Sequence, residues 1–450
     1  MNIFRNDIRL TIVVVTSVAA ALIASAVIVL VAQKNGLDPV RLTGDASGYV
    51  KLAYGILNHQ VFSIDPAAPF YPQSFRTPGY PFFASVLLGI FSSEILVLFI
   101  QSIIVSVAVP FLYLLVRPFH ERAAFWGSII FALEPIRLFL ASSFLSDALF
   151  AAILLLSLLL LEHARKQQSF PWYAAVGISL GVLMLVRPIA MFLPFLYALY
   201  LLVQHVTIRR ALIGSLIMCA VSLATIFPWL YRNHTYFNSW SLSSVSSFNF
   251  AFYNASEFMK WKPNDAAKAA LVAFSTEQGT LDSSYAFSLH RAPLAVEIFK
   301  KTVAGNEIEY AIFHVAKTIP FFISDGLRDT VRLFKVNLGT PPNITTAILR
   351  GDIATVFSYL THGGLGIWLL LIGSGFWGLV TVLFISESIR ALIKRDWFPL
   401  FLALLVGYFA ILTGPVSNAR YRLPAEGFML VLAIMQLYRW KVWWGRKDSR

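Results

Sequence analysis

Two carboxylates lie where chemistry at a membrane surface would need them. Asp45 stands in Thr43-Gly44-Asp45-Ala46-Ser47-Gly48-Tyr49, soon after the first apolar stretch, and Asp147 stands where a later apolar stretch begins. Each carboxylate could accept a proton from an attacking hydroxyl group, which is general-base chemistry. The alternative for both is structural, because an acid at a helix start can cap the free N–H groups of the first turn. For Asp45, apolar spacing predicts a helix directly after it.

Five arginines occupy the same kind of position, at the ends of apolar stretches or in the turns beside them. They are Arg76, Arg187, Arg232, Arg420 and Arg422. Arginine is the preferred bidentate ligand of phosphate. The alternative is that each long side chain extends to lipid headgroups. The clustering predicts that at least two of the five bind a phosphate group at the membrane surface.

The composition is that of a membrane protein with several spans. The chain has 450 residues, of which 58% are hydrophobic and only 13% charged, and its mean hydropathy is +0.70. Soluble domains are far more charged. The single cysteine, Cys219, excludes an internal disulfide. Because many of the basic residues lie in short loops between apolar stretches, the net charge of +13 does not indicate a nucleic-acid partner.

Apolar stretches near twenty residues long predict about ten membrane spans. They are 10–32, 94–116, 123–141, 145–162, 172–187, 189–206, 211–230, 364–386, 397–414 and 424–438. Lys and Arg concentrate in every second loop, which predicts that both termini are cytoplasmic and that both acids face outward. The sequence therefore predicts an all-α polytopic protein with one composite site on its outer side.

Three regions follow from this topology. Residues 1–230 form an N-terminal transmembrane module with the loops that carry Asp45 and Asp147. Residues 231–363 form an outward cap, in which 265–277, 284–302 and 307–323 have the spacing of amphipathic helices lying along the membrane surface. Residues 364–450 hold the last spans and the last outward loop.

Six short motifs in order resemble the GT-C superfamily of integral-membrane glycosyltransferases, especially the protein O-mannosyltransferase and aminoarabinose-transferase branch. They are the segment 44–49, Arg76-Thr77-Pro78-Gly79-Tyr80-Pro81, Ser146-Asp147-Ala148-Leu149-Phe150, Gly181 to Arg187-Pro188, Pro228-Trp229 with Arg232-Asn233, and Arg420-Tyr421-Arg422-Leu423-Pro424. Two departures stand out. Asp45 is followed by Ala46 and not by a second acid, and the sequence predicts no counterpart of the large C-terminal domain that some relatives have.

The resemblance implies a GT-C fold and an enzyme that transfers one sugar from a polyprenyl-phosphate donor with inversion. Asp45 would be the general base, and Asp147 would arrange the site. The donor phosphate would be held by the set Arg420, Arg422, Arg76 and Arg187. The substrate pocket would be lined by the set Tyr49, Tyr80, Arg232 and Tyr421. The resemblance does not imply an obligatory cofactor and leaves a divalent cation open, Mg²⁺ or Mn²⁺, for which Asp45 and Asp147 would be the ligands.

The same resemblance implies a lipid, glycan or protein acceptor, contact with membrane lipids, and a bacterial inner membrane with the site facing the periplasm or exterior. Two other functions stay open. A lipid-linked oligosaccharide ligase would use a pyrophosphate donor, and no residue separates it from the transferase. A transporter or flippase of a lipid-linked anion would need charged or helix-breaking positions near the middle of the membrane.

Overall fold

The computed structural model describes residues 7–204, 207–281, 283–336 and 365–447, with a few positions between 351 and 358. The described residues form helices and connecting turns and contain no strand, which agrees with the predicted all-α class. Parts of the predicted cap, at 337–350 and 359–363, and the ends of the predicted spans at 205–206 and 364 lie outside these residues.

Eleven α-helices precede the cap. They are α1 Ile8–Lys34, α2 Ala46–His59, α3 Gly79–Phe91, α4 Glu94–Ser106, α5 Val109–Val116, α6 Glu121–Leu133, α7 Pro135–Ala141, α8 Ser146–Gln167, α9 Phe170–Val186, α10 Leu193–Val203 and α11 Ile208–Phe237. A 3₁₀ turn, Pro188–Phe192, joins α9 to α10.

The cap is built from short helices, and three long helices follow it. The cap helices are α12 Val245–Asn249, a π-helical turn Phe250–Ala255, α13 Ser256–Trp261, α14 Asp265–Thr280, α15 Ser283–Ala286, α16 Ala292–Val303, α17 Glu307–Ala316, α18 Ile319–Ile323 and α19 Arg328–Leu333. The last three are α20 Leu365–Lys394, α21 Trp397–Thr413 and α22 Ala419–Lys447.

Among the described residues, fewer than ten helical segments are long and apolar enough to cross a membrane. There are six, namely α1, α4 together with α5, α8, α11, α20 and α21, and the pair α6–α7, bent by 58°, makes a seventh. The other three predicted spans are α9, the Pro188–Val203 segment and the apolar part of α22. The first two are shorter than eighteen residues, and the third is bounded by charged residues at both ends. The predicted helices are therefore present, but none of these three is long and apolar enough to count as a full membrane span by itself.

The helix α22 lies in the centre of the bundle. It packs against α6, α8, α20 and α21, and nearly every residue from Leu423 to Gln436 is buried. A helix that is apolar and buried all round contributes core contacts and little lipid contact. Its first turn consequently carries Arg420 to the middle of one end of the bundle.

The opposite end of the bundle gathers basic residues that the sequence assigns to the cytoplasm. Arg9 pairs with Glu121 at 2.5 Å, and Arg117 pairs with Asp7 at 2.6 Å. These pairs tie the start of α1 to the end of α5 and the start of α6. The bundle therefore has two chemically distinct ends, and both Asp45 and Asp147 lie at the other one.

Candidate active site

Asp45 is the N-cap residue of α2, but its side chain makes no capping hydrogen bond. Its Oδ1 instead lies 2.6 Å from Nη2 of Arg76, and its Oδ2 lies 2.8 Å from Nη2 of Arg420. The side chain is about one-third exposed, at 34%. The helix predicted after it is present, with Tyr49, Leu52 and Ala53 buried. The carboxylate thus points into a cluster of charges and not along its own helix.

Asp147 lies in the first turn of α8 and is completely buried. Its carboxylate pairs with Arg187 and also accepts hydrogen bonds from Nε and Nη2 of Arg420, at 3.2 and 3.0 Å. A buried carboxylate without partners would be very costly, so its two arginines are required for the ionised form.

Arg420 joins the two acids, so five charges alternate in an unbroken chain. The order is Arg76, Asp45, Arg420, Asp147, Arg187. We call these five residues the charge chain. Its members stand at the ends of five different helices, α2, α3, α8, α9 and α22. With three arginines and two aspartates the chain carries one excess positive charge.

A close backbone contact brings Arg76 toward Arg187. A Cβ atom on Gly79 would lie 2.7 Å from the carbonyl group of Leu185 and 2.8 Å from the nitrogen of Val186, so only glycine fits there. The hydroxyl group of Thr77 also donates to the carbonyl oxygen of Val186 at 3.1 Å. The Arg-Thr-Pro-Gly turn is therefore docked on the end of α9, one residue before Arg187.

Two tyrosines line the charge chain. The guanidinium of Arg76 lies over the ring of Tyr49 at 4.7 Å, and Tyr421 lies 5.7 Å from Arg187 and 5.9 Å from Arg420. Aromatic faces attract cations and form flat surfaces beside them. Both residues are among those predicted to line the substrate pocket, and that role stays a prediction.

Tyr80, predicted for the same pocket, is fully buried behind Tyr49, with the ring centroids 4.8 Å apart. It cannot contact a substrate directly in this arrangement.

Two of the predicted arginines lie elsewhere. Arg232 donates to the carbonyl oxygen of Gln73 at 2.8 Å and is surrounded by aromatic rings, with Trp229 4.7 Å away. Arg422 is completely buried, pairs with Glu426 at 3.0 Å and lies 3.6 Å from the ring of Trp377. Because α22 is helical, Arg420 and Arg422 point in different directions, and only Arg420 joins the charge chain.

The donor set does not fit a divalent cation. The described residues contain no group of three or more His, Cys, Asp or Glu side chains that could hold one. In the charge chain, all four carboxylate oxygens of Asp45 and Asp147 already face guanidinium groups. Mg²⁺ and Mn²⁺ prefer carboxylate, carbonyl and water oxygens, and a cation here would have to displace Arg420 from both acids.

Comparison with known proteins supports the family resemblance. Residues 75–231 match the family model described as dolichyl-phosphate-mannose-protein mannosyltransferase. No curated protein sequence matches the chain. The matched residues include Arg76, Asp147 and Arg187, whereas Asp45, Arg232 and Arg420 lie outside them.

Solved structures of similar fold come from Archaeoglobus fulgidus. One is its oligosaccharyltransferase in the apo form, with a TM-score of 0.54, 16% identity, and coverage of 100% of this chain and 53% of that one. Another is the oligosaccharyltransferase AglB in complex with an inhibitory peptide and a dolichol-phosphate, with a TM-score of 0.51, 16% identity, and coverage of 96% and 52%. This chain spans about half the length of either. The fold that the resemblance implies is therefore confirmed.

Proposed function

We propose that this protein is a glycosyltransferase that moves one sugar from a polyprenyl-phosphate donor to a hydroxyl group of a lipid, glycan or protein acceptor. The observation that carries the proposal is the charge chain, in which Arg420 bridges two acids at one end of a membrane-spanning bundle. The family match and the fold support a lipid-linked donor, since AglB was solved with a dolichol-phosphate.

The excess positive charge of the chain favours a donor with a single phosphate. A phosphodiester between a sugar and a prenol carries one negative charge, which would balance three arginines against two aspartates. A pyrophosphate-linked donor carries two negative charges and would need a further cation. Buried charges are stable only when paired, so the charge balance favours the transferase over the oligosaccharide ligase.

In the proposed reaction, the acceptor oxygen attacks the anomeric carbon while Asp45 takes the hydroxyl proton. The bond between the anomeric carbon and the phosphate oxygen breaks, and its electron pair stays on that oxygen. Arg420 and its neighbour Arg187 stabilise the charge that develops on the leaving phosphate. A single direct displacement inverts the anomeric centre. Asp147 holds both arginines in place for this task.

Donor binding would also change the basicity of Asp45. Burial raises the pKa of Asp45, but Arg76 and Arg420 more than offset this and lower it to about 2. A carboxylate with so low a pKa is a weak base. A donor phosphate that takes N–H groups of Arg420 away from Asp45 removes one of these two cations, so the base becomes stronger when the substrate is present.

The transporter alternative has less support. The buried charged residues Glu134, Arg137, Arg422 and Glu426 lie near one another, but Arg422 pairs with Glu426 and Glu134 caps the first turn of α7. The cavity beside Arg137 has a volume of about 10 Å³. That is room for about one water molecule and not for a headgroup.

The experiment is transfer activity of purified protein in lipid with a radiolabelled polyprenyl-phosphate sugar. Asp45→Asn keeps the size of the side chain but cannot take a proton, so we expect turnover to fall by roughly 10²–10⁴-fold. Asp65→Asn is the matched control, because Asp65 stands in the same outward loop and only holds a local turn through Ser63 and Tyr71. Near-normal turnover of folded Asp45→Asn protein would remove Asp45 from the mechanism.

A further inference from the structure

Gln101 is a buried amide in the apolar helix α4, with only 1% of its surface exposed. The sequence around it, Leu98-Phe99-Ile100-Gln101-Ser102-Ile103-Ile104, is otherwise almost wholly apolar. Polar side chains inside membrane spans hold helices together through hydrogen bonds. The partners of Gln101 decide which parts of the protein it holds.

Two of these partners belong to the turn that leads into Asp147. Helix α7 ends at Ala141 and α8 begins at Ser146. The Nε2 group of Gln101 donates to the carbonyl oxygens of Ala141 and Ser143, at 3.1 and 2.7 Å. A break in a helix inside a membrane leaves backbone groups that must find partners. The amide group of Gln101 is the hydrogen-bond partner of these two carbonyl groups, and it thereby fixes where α8 begins.

The third partner, Tyr80, connects Gln101 to the residues around Asp45 and Arg76. Its Oε1 accepts a hydrogen bond from the hydroxyl group of Tyr80 at 2.7 Å. The ring of Tyr80 meets the ring of Tyr49 edge to face, and Tyr49 lies beneath the guanidinium of Arg76. The hydroxyl group of Tyr49 in turn lies 3.0 Å from Oγ of Ser146, the residue before Asp147.

These contacts connect Gln101 to the charge chain by two separate paths. One path runs from Gln101 through the 142–145 turn to Asp147, and the other runs through Tyr80 and Tyr49 to Arg76. We propose that Gln101 is the positioning residue of the active site, and that its amide sets the separation between the Asp45–Arg76 pair and the Asp147–Arg187 pair. This inference rests on the proposed function for its kinetic consequences only.

The position of Gln101 predicts which kinetic constant it controls. Arg420 stands on α22 and Arg187 directly after α9, and neither forms a hydrogen bond with Gln101 or Tyr80. Because these two helices hold the backbones of both arginines in place besides their pairing with Asp147, binding of the donor phosphate is largely kept when the hydrogen bonds of Gln101 are lost. The acids, in contrast, move relative to the bound sugar. A misplacement of about 1 Å can lower a rate by about 10²-fold. The change therefore falls on kcat and not on the KM for the donor.

Two variants test this together with one control. Gln101→Leu removes all three hydrogen bonds, and Tyr80→Phe removes only the one to Tyr80 and leaves the 142–145 turn satisfied. Ser25→Ala is the control, because Ser25 is buried at the same turn and contacts Ser142 and Ser102 through hydroxyl groups only. Ser142 keeps its bond to the carbonyl oxygen of Leu138 in that variant.

We expect kcat to fall by about 10- to 100-fold in Gln101→Leu and less in Tyr80→Phe, with the KM for the donor within about two-fold and Ser25→Ala unchanged. Amide hydrogen exchange, which needs no substrate, should be faster over 141–148 in Gln101→Leu only. If Gln101→Leu fails to fold, Tyr80→Phe carries the kinetic test.

The inference is wrong if the variants lose thermal stability but keep the kcat of the wild type, since Gln101 would then be structural only. A wild type without transfer activity would refute the proposed function instead. The exchange measurement would still decide whether Gln101 fixes the turn before Asp147, and unchanged exchange in Gln101→Leu would contradict the inference.

Discussion

At the scale of single residues, Arg420 is the central member of the charge chain. Among the described residues it is the member that contacts both acids: its Nε lies 3.2 Å from Oδ2 of Asp147, and its Nη2 lies 3.0 Å from the same oxygen and 2.8 Å from Oδ2 of Asp45. The sequence shows Arg420 and Arg422 as equivalent basic residues in one loop. Nothing in their spacing reveals that one faces the acids and the other faces Glu426, because that depends on where α22 lies in the bundle.

Substitution of Arg420 should weaken donor binding. Each charge-assisted hydrogen bond is worth about 1.5–3 kcal/mol, so we expect Arg420→Ala to raise the KM for the donor by roughly 10- to 100-fold. Arg420→Lys should recover part of this, since lysine keeps the charge but not the planar fork. Steady-state kinetics with varied donor would show it.

Arg41→Ala is the matched control for Arg420. Arg41 is also an outward arginine with two acidic partners, Asp38 and Glu94, but it lies on the exposed surface. An equal rise of the donor KM in both alanine variants would contradict a specific phosphate site at Arg420.

The low pKa of Asp45 predicts how the free protein responds to acid. Because its folded-state pKa of about 2 lies below the unfolded value of about 3.9, its ion pairs stabilise the folded state fully above about pH 4, and this contribution is lost as the pH falls toward 2. We expect kcat/KM to show no loss from Asp45 protonation between about pH 5 and 7. In Arg420→Ala the pKa of Asp45 should rise, and a pH titration of kcat/KM would detect an acid limb at higher pH.

At the scale of helices, the sequence predicts the long apolar ones well. The predicted spans 10–32, 211–230 and 397–414 correspond to α1, α11 and α21. The helix α3 is not among the predicted spans, since its thirteen mostly apolar residues are too few to cross a membrane and stand in a predicted loop. The bend between α6 and α7 occurs at Glu134–Pro135, where proline cannot continue the hydrogen bonding of the preceding helix.

Arg422 holds α18 to α22. Its Nη1 donates to the carbonyl oxygens of Phe321 and Ser324, at 3.0 and 2.9 Å, at the end of the short helix α18. A glycine follows in the same turn: Gly326 has a φ of +73° and lies close to Ile136 and Glu134. The end of the cap is therefore fixed to the centre of the bundle by a buried arginine.

We expect Arg422→Met to lower stability and not donor affinity. It leaves Glu426 buried without its cation, and breaking a buried ion pair costs about 3–5 kcal/mol. Thermal unfolding in detergent should show a lower Tm, while the folded fraction keeps a donor KM near that of the wild type. The double variant Arg422→Met with Glu426→Gln should recover part of the lost Tm. A large rise of the donor KM with an unchanged Tm would show that Arg422 binds the phosphate after all.

At the scale of the whole molecule, the two ends of the bundle should face opposite sides of the membrane. Cysteine labelling in a Cys219→Ser background tests this, with Ala269→Cys on the exposed face of α14 and Lys166→Cys at the end of α8. We expect a membrane-impermeant maleimide to label Ala269→Cys in intact cells and Lys166→Cys only after lysis. The reverse pattern would place the charge chain in the cytoplasm.

Sequence alone predicts the membrane class, most helices and the residues that could do the chemistry. Their assembly could not be read from it, because Asp45, Asp147 and Arg420 are far apart in sequence and meet only through helix packing. Gln101 could have been singled out by one signal, an amide in the middle of an apolar span. The network of Glu134, Arg137, Arg422 and Glu426 depends likewise on which faces of α7 and α22 meet.

The odd number of charges in the chain has a consequence for how the site can vary. Removing either aspartate leaves the arginine at that end, Arg76 or Arg187, without its counter-charge, whereas removing one arginine leaves each aspartate with a partner but abolishes the excess charge. Because the members share partners, the effects of single substitutions should not add. Removing Asp147 together with Arg187 preserves both the alternation and the excess charge of the remaining three. We therefore expect a substitution of Asp147 or of Arg187 to be tolerated better when the other residue is substituted as well.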